Sequence, residues 1–306
     1  MSKLVIKSLD AIVNEALDFF SKNLPPKLNL ETYSFPLVVG SGNAFNVGKI
    51  LFAKQAAIFA NESNFREIIK RYQSLIKNGT IHEALIISAS GEKDSVWEIE
   101  EAKTVGLKTT LLTCSLNSSA AQIADEVKVY RKLAEPYTYN FSTYWGMLLS
   151  ASDEKVENIK DALEKLKTPA NFGTYESYSF ILPDKFGDLA PMLDIKRHEL
   201  FGPKLSLRAF TFGEARHAKF VIRDPKELVI SFGANEFFGD PNSRWEINLP
   251  KDIGSAGMMA LTYYLVGQIQ NKQPDYFREN IERFCKDDGP RAYGSNQPFS
   301  VIVPGN

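Results

Sequence analysis

Two short turns hold the residues best suited to grip an anion. Ser88-Ala-Ser-Gly-Glu-Lys-Asp-Ser95 follows the apolar run 84–88. Ser88, Ser90 and Ser95 offer hydroxyl donors, Gly91 lets the backbone turn tightly and present successive N–H groups, and Lys93 adds a full positive charge. A helix opening after the turn adds the positive end of its dipole, so a phosphate is the natural guest. The same residue types also cap helices, with Ser90 or Asp94 as the N-cap. A second turn, Gly40-Ser-Gly42, closes the apolar run 35–39. Phe45 stands where a dinucleotide GxGxxG loop needs its third glycine, and no GxxxxGK[ST] occurs, so neither nucleotide motif is present.

Composition narrows the chemistry further. The 306 residues carry 36 Lys+Arg against 37 Asp+Glu, a net charge of −1. That balance gives no electrostatic case for nucleic acid or an anionic membrane as partner. At 44% apolar and 24% charged residues the chain reads as a globular protein, not as a disordered chain, a collagen or a coiled coil. Cys114 and Cys285 are too few and too distant for a disulfide framework or a CxxC site. His82, His198 and His217 do not make a multi-histidine metal site, so no metal centre is expected. No run of 18 apolar residues appears, and the N-terminus has no secretory cleavage pattern, which makes a cytoplasmic protein the expectation.

The elements that must position the turns follow from periodicity. Leu9, Ile12, Val13, Ala16, Leu17 and Phe20 fall at helical spacing, and Pro25-Pro26 ends that helix. Short apolar runs at 35–39, 84–88, 109–113 and 127–130 alternate with helical spacing near 47–57, 64–77, 95–105 and 119–124. Residues 139–166 read as helical with a break near 150–153, and 168–173 as a linker. A second alternation follows, with strands at 177–182, 207–212, 228–232 and 245–249 and helices at 187–201, 214–221 and 256–270. Alternation of this kind predicts parallel βαβ units. The expectation is an α/β fold of two similar lobes sharing one active site, since only the first lobe carries both turns.

Both turns and one later segment together resemble the sugar isomerase (SIS) family, in the form with two SIS domains in tandem, over most of residues 36–306. The family's phosphate loop reads S-x-S-G-x-[ST]. Ser88, Ser90 and Gly91 match, while Lys93 replaces the last hydroxyl residue and either binds phosphate itself or leaves that role to Ser95. Gly40-Ser-Gly-Asn-Ala44 resembles the sugar-contacting GxGTS segment, which implies sugar contacts for Ser41, Gly42 and Asn43. Glu135–Ser142 falls where the isomerase domain of glucosamine-6-phosphate synthase has another sugar-contacting loop, making Thr138 and Asn140 the candidates there. Ile195-Lys-Arg-His-Glu199 resembles the family's L-K-x-K-E helix, and Ala209-Phe-Thr-Phe-Gly-Glu-Ala-Arg-His217 resembles A-Y-A-A-G-E-L-K-H. The resemblance implies that Glu199 is the proton-transfer base, that His217 assists ring opening and that Lys196 joins them as a catalytic residue. Taken without the family, Glu199 reads as a surface acid and His217 as a structural histidine. Glu214 is a rival, either a helix cap or the acid itself.

The resemblance also implies the expected architecture: two doubly wound parallel-sheet SIS-type domains with helices on both faces. Residues 1–32 form a leading helix and linker, 33–167 the first SIS domain, and 168–306 the second domain and tail. The implied activity is a phosphosugar aldose–ketose isomerase working through an enediol, without a cofactor. A sugar-phosphate deaminase or deglycase uses the same site, and a non-catalytic phosphosugar-binding regulator is the further alternative. The regulator reading expects an attached DNA-binding module, and no helix-turn-helix pattern precedes residue 36. Phe299 stands where the synthase has a tail lysine, and no glutaminase segment corresponds, so amide transfer is disfavoured. The family further implies a homodimer in which the neighbouring subunit supplies His217. The apolar 256–270 helix and the aromatic run 137–145 point the same way, as more apolar surface than one chain needs.

Overall fold

The apolar stripe at Leu9, Ile12, Val13, Ala16, Leu17 and Phe20 becomes helix α1 (Leu9–Lys22), with all six side chains buried. The structure is a computed structural model that describes residues 5–218, 220 and 223–306. The chain divides into two compact units that interleave along the sequence: residues 23–133, 143–153 and 306 in one, and 1–22, 134–142 and 154–305 in the other.

The first unit is built on five parallel strands: β1 (Leu37–Gly40), β2 (Ile58–Ala60), β3 (Glu83–Ile87), β4 (Lys108–Thr113) and β5 (Glu126–Val129). Helices α2 (Asn43–Leu51), α3 (Phe65–Arg71), α4 (Gln73–Lys77), α5 (Asp94–Thr104) and α6 (Ser119–Ile123) connect them. The strand order is β2-β1-β3-β4-β5, so the order reverses between β1 and β3. In open parallel sheets ligands bind beyond the carboxyl ends of the strands at such a reversal. The two serine-glycine turns are the ones that leave β1 and β3. β1 and β3 are buried at every position, as strands covered on both faces must be. Leu37, Val39, Ile86, Ile99 and Leu111 form the centre of this unit's core.

The second unit carries four parallel strands, β7 (Ser177–Leu182), β8 (Ser206–Thr211), β9 (Glu227–Ser231) and β10 (Arg244–Glu246), in the order β10-β9-β7-β8. Numbered from its first strand, this sheet has the same connectivity as β2-β1-β3-β4 of the other. Helices α8 (Val156–Glu164), α9 (Ala190–Phe201), α10 (Phe212–His217), α11 (Ser255–Gln270), α12 (Tyr276–Arg283) and α13 (Gly289–Ala292) complete it, with α1. Helix α7 (Phe141–Ser150) begins in this unit and continues into the other. An antiparallel pair, β6 (Glu135–Pro136) with β11 (Ile302–Val303), ties the tail to the chain ahead of α7.

Several expectations change. Helix α10 starts two residues before the 214–221 reading, where a capping box opens it at Phe212, and ends at His217; Lys219, Val221 and Ile222 lie outside the described residues. The 187–201 reading splits into a 3-10 segment, Asp184–Leu189, and α9. The apolar residues of α11 are used within its own unit, where it packs on α1, α8 and α9. The part of the dimer expectation that rested on this helix is therefore accounted for inside one chain. Glu154 fixes the start of α11, accepting the N–H groups of Gly254, Ala256 and Gly257 at 2.8–3.0 Å.

Candidate functional site

The structure gives the two glycine-serine turns one shared device. Gly42 and Lys93 are the N-cap residues of α2 and α5, and both have φ 56° and ψ −121°. That conformation is the mirror image of extended backbone, free to glycine and costly to a residue with a Cβ. Gly91, at φ +65°, is required by space as well: an added Cβ would lie 2.0 Å from the Ser118 hydroxyl.

Within the Ser88–Ser95 turn the hydroxyls divide by role. Ser88 Oγ accepts the Gly91 N–H at 3.1 Å and Ser90 Oγ accepts the Glu92 N–H at 3.4 Å. Each keeps its own O–H to donate. Ser95 is buried and donates its single proton to the Glu92 carbonyl at 2.9 Å. Glu92 accepts the Ser119 N–H at 3.0 Å, and the Gly91 carbonyl accepts the Ala120 N–H at 2.9 Å, which tie the turn to α6. Lys93 is exposed. In the neighbouring turn Asn43 is buried with its Oδ1 unpartnered, an acceptor available to a hydroxylated ligand.

In the other unit α9 carries Lys196 and Glu199 on one face, three residues apart. The Lys196 ammonium is fully buried and bonds both the Glu199 carboxylate and the Thr138 carbonyl. It also lies 5.9 Å from the centre of the Tyr263 ring. Thr138 reaches it from a turn with two non-glycine residues at positive φ, Thr138 at +75° and Asn140 at +50°. Asn140 donates its side-chain amide to the same Thr138 carbonyl at 3.4 Å. Thr138 Oγ1 is buried without a partner. Glu199 keeps 23% of its side chain exposed. Burial pushes its carboxyl above the ordinary value, and the Lys196 ammonium pulls the other way. The result is a carboxyl that can take and release a proton beside a fixed positive charge.

His217 is the last residue of α10 and is exposed. No hydrogen bond or ion pair joins it to Glu199 among the described residues. Glu199 sits just before the loop into β8, and His217 follows the far end of that strand. Glu214, the rival acid, is committed to the capping box: it accepts the Thr211 N–H at 2.8 Å, while its own N–H donates to Thr211 Oγ1 at 3.1 Å. His198 is exposed against Arg197.

Two features stand outside the expected site residues. Glu98 on α5 is 1% exposed, and burial pushes its carboxyl up to about 7, with Asp94 and Glu62 adding to the effect. Tyr137, read in the sequence as core or interface, stands against Phe284 and Phe299 with its phenol pushed up to about 12 by burial. A cleft of about 560 Å³ lies elsewhere in this unit, lined by Asn158, Asp161, Lys165 and Trp245 among others, and none of the expected site residues borders it. No cluster of metal-ligating side chains occurs among the described residues.

No family model and no curated protein sequence matches the chain. Solved structures do. A glucosamine-6-phosphate deaminase from Thermotoga maritima aligns at 16% identity over 87% of this chain and 95% of that one, with a TM-score of 0.57. The chain has an SIS-type fold. The C-terminal domain of a glucosamine-fructose-6-phosphate aminotransferase from Francisella tularensis aligns at 15% identity over 87% and 96% of the chains, TM-score 0.55. A tagatose-6-phosphate ketose/aldose isomerase from Escherichia coli aligns at 14% over 87% and 89%, TM-score 0.54. At these identities the likeness is one of fold. Among the described residues no helix is long and apolar enough to cross a membrane.

Proposed function

We propose that the protein is a phosphosugar aldose–ketose isomerase acting through an enediol, and that each parallel-sheet unit is one SIS-type domain. The observation that carries the reading is the Lys196–Glu199–Thr138 cluster: a buried ammonium beside a partly exposed carboxyl whose proton affinity is raised. Glu199 removes the proton from C2 of an aldose phosphate and returns it to C1. The electron pair passes through the enediol, and the hydroxyl proton moves between O1 and O2. Lys196 steadies the negative charge that builds on the oxygens. Ser88, Ser90, Gly91 and Lys93 take the phosphate, whose binding energy holds the reacting carbons in place. Ser41, Gly42, Asn43, Thr138 and Asn140 are the proposed sugar contacts, and His217 the group that assists ring opening. The protein works as a homodimer in the cytoplasm, with sugar phosphate as its small-molecule partner.

The test is a panel of hexose, pentose and amino-sugar phosphates, ranked by thermal shift and then assayed in heavy water. Interconversion with solvent deuterium entering at C1 or C2 is the expected result. Ammonia release from amino-sugar phosphates would reassign the site to a deaminase. Binding without exchange or turnover would make the protein a sensor.

A further inference from the structure

We propose that the C-terminal segment 299–303 is a fixed strut that positions the Lys196–Glu199 pair, with Phe299 and Tyr137 as its positioning residues. The inference rests on Glu199 being the working acid.

The anchoring starts with a proline. Residues Phe284–Asp288 form a π-helical turn, in which the Gly289 N–H bonds the Phe284 carbonyl. The next carbonyl, of Cys285, would take the N–H of residue 290, and Pro290 has none. A buried carbonyl needs a donor, and the Phe299 N–H supplies it at 2.8 Å. Further along, β11 pairs with β6, and the Tyr137 N–H donates to the Val301 carbonyl at 2.7 Å. The tail is thus bonded to the backbone on both sides of Phe299.

Those bonds set the rings. Phe299 stacks on Tyr137 at 5.3 Å and 15°, Phe284 lies 6.0 Å from Tyr137, and Tyr293 meets Phe299 edge-on at 5.9 Å. Tyr137 adjoins Thr138, whose positive φ carries its carbonyl to Lys196. The Tyr137 phenol is near enough to Glu199 for the two to interact electrostatically. Removing the Phe299 ring therefore has two consequences with the same sign. Tyr137 and the Thr138 carbonyl lose their fixed place, so Lys196 turns more fully to Glu199. Water also gains access to the carboxylate. Both stabilise its ionised form and lower its proton affinity.

The experiment follows the Glu199 carboxyl by ¹³C NMR in the full chain, labelled at glutamate and assigned by the signal that Glu199→Gln removes. Phe299→Ala is expected to lower the Glu199 midpoint by about half a pH unit or more. Phe299→Tyr, which keeps the stack, is expected to hold the wild-type midpoint. The Glu98 midpoint, in the other unit, stays unchanged in both and reports that the fold survives. If Phe299→Ala does not fold, Phe299→Leu, with bulk but no stacking plane, carries the same expected drop. An unchanged Glu199 midpoint in the Ala or Leu variant overturns the strut, as does an equal drop in Phe299→Tyr. The readout needs no substrate, so a wild-type protein that turns over no sugar phosphate would defeat the isomerase reading alone.

Discussion

Lys93 holds a backbone conformation that glycine adopts freely, and the matched position in the sister turn is Gly42. Keeping a lysine there costs about 1–3 kcal/mol of strain, which a site retains when the side chain works. Lys93→Gly removes the strain but adds about 0.5–1 kcal/mol of unfolded-chain entropy. The variant should therefore be more stable by about 1 kcal/mol in urea unfolding, while its affinity for a sugar phosphate falls about tenfold in calorimetry. Lys93→Ala keeps the Cβ, so it should lose the affinity without gaining the stability. Undiminished affinity in both would remove Lys93 from the phosphate site. The acid is tested in the same way. Glu199→Gln should lower turnover roughly 10²-fold or more with ligand binding intact. Wild-type turnover should rise with pH on a limb above the ordinary carboxylate range, because burial raises this carboxyl. Glu214→Gln should change neither turnover nor stability, since glutamine also completes a capping box.

At the scale of the element, α5 carries an acid against its own interest. Glu98 is buried one turn after the phosphate turn, and its Oε1 has no partner. Its carboxyl stands at about 7 in the folded chain against an ordinary 4.5. Between those values the native state holds the proton more tightly than the unfolded state, so stability falls as pH rises. The loss is complete above the folded value and amounts to about 3 kcal/mol. Glu98→Gln should flatten this slope, leaving the variant more stable than wild type at pH 8 and close to it at pH 5 in urea titrations. An unaltered slope would show that Glu98 is not the group responsible. The sequence pattern made such elements visible where they are periodic, as in α1, or strongly apolar, as in α11 and β7. It missed β2, only three residues long, and the two-residue β6–β11 pair, because neither has enough positions to express a period. The turns were legible because glycine and serine mark them. Lys93's backbone strain was not, since φ and ψ leave no trace in residue type when the favoured glycine is absent. Glu98 and Glu199 look alike in the sequence, as acids on helices, and only packing separates them from solvated ones.

The whole molecule sets the hardest condition. Glu199 and His217 belong to one unit, Glu199 in the last turn of α9 and His217 at the end of α10, and no hydrogen bond or ion pair joins them among the described residues. A ring-opening histidine must reach the sugar that Glu199 deprotonates. In the proposed dimer the His217 serving a given Glu199 comes from a second copy of the chain, through an interface other than α11, whose apolar residues are already buried. A two-fold dimer meets the condition, because each copy gives what it receives. Glu199→Gln and His217→Ala should each be inactive as homodimers. In a mixed dimer that shares histidines, one site has both groups and the other has neither. Co-refolding equal amounts should restore activity, up to about a quarter of wild type if subunits mix at random and sites act independently. If His217 serves its own chain, every site lacks one group and no activity returns. Sedimentation of the same mixture separates the two reasons for a null result. A dimer without rescue places His217 in cis or outside the reaction, and a monomer removes the shared site altogether.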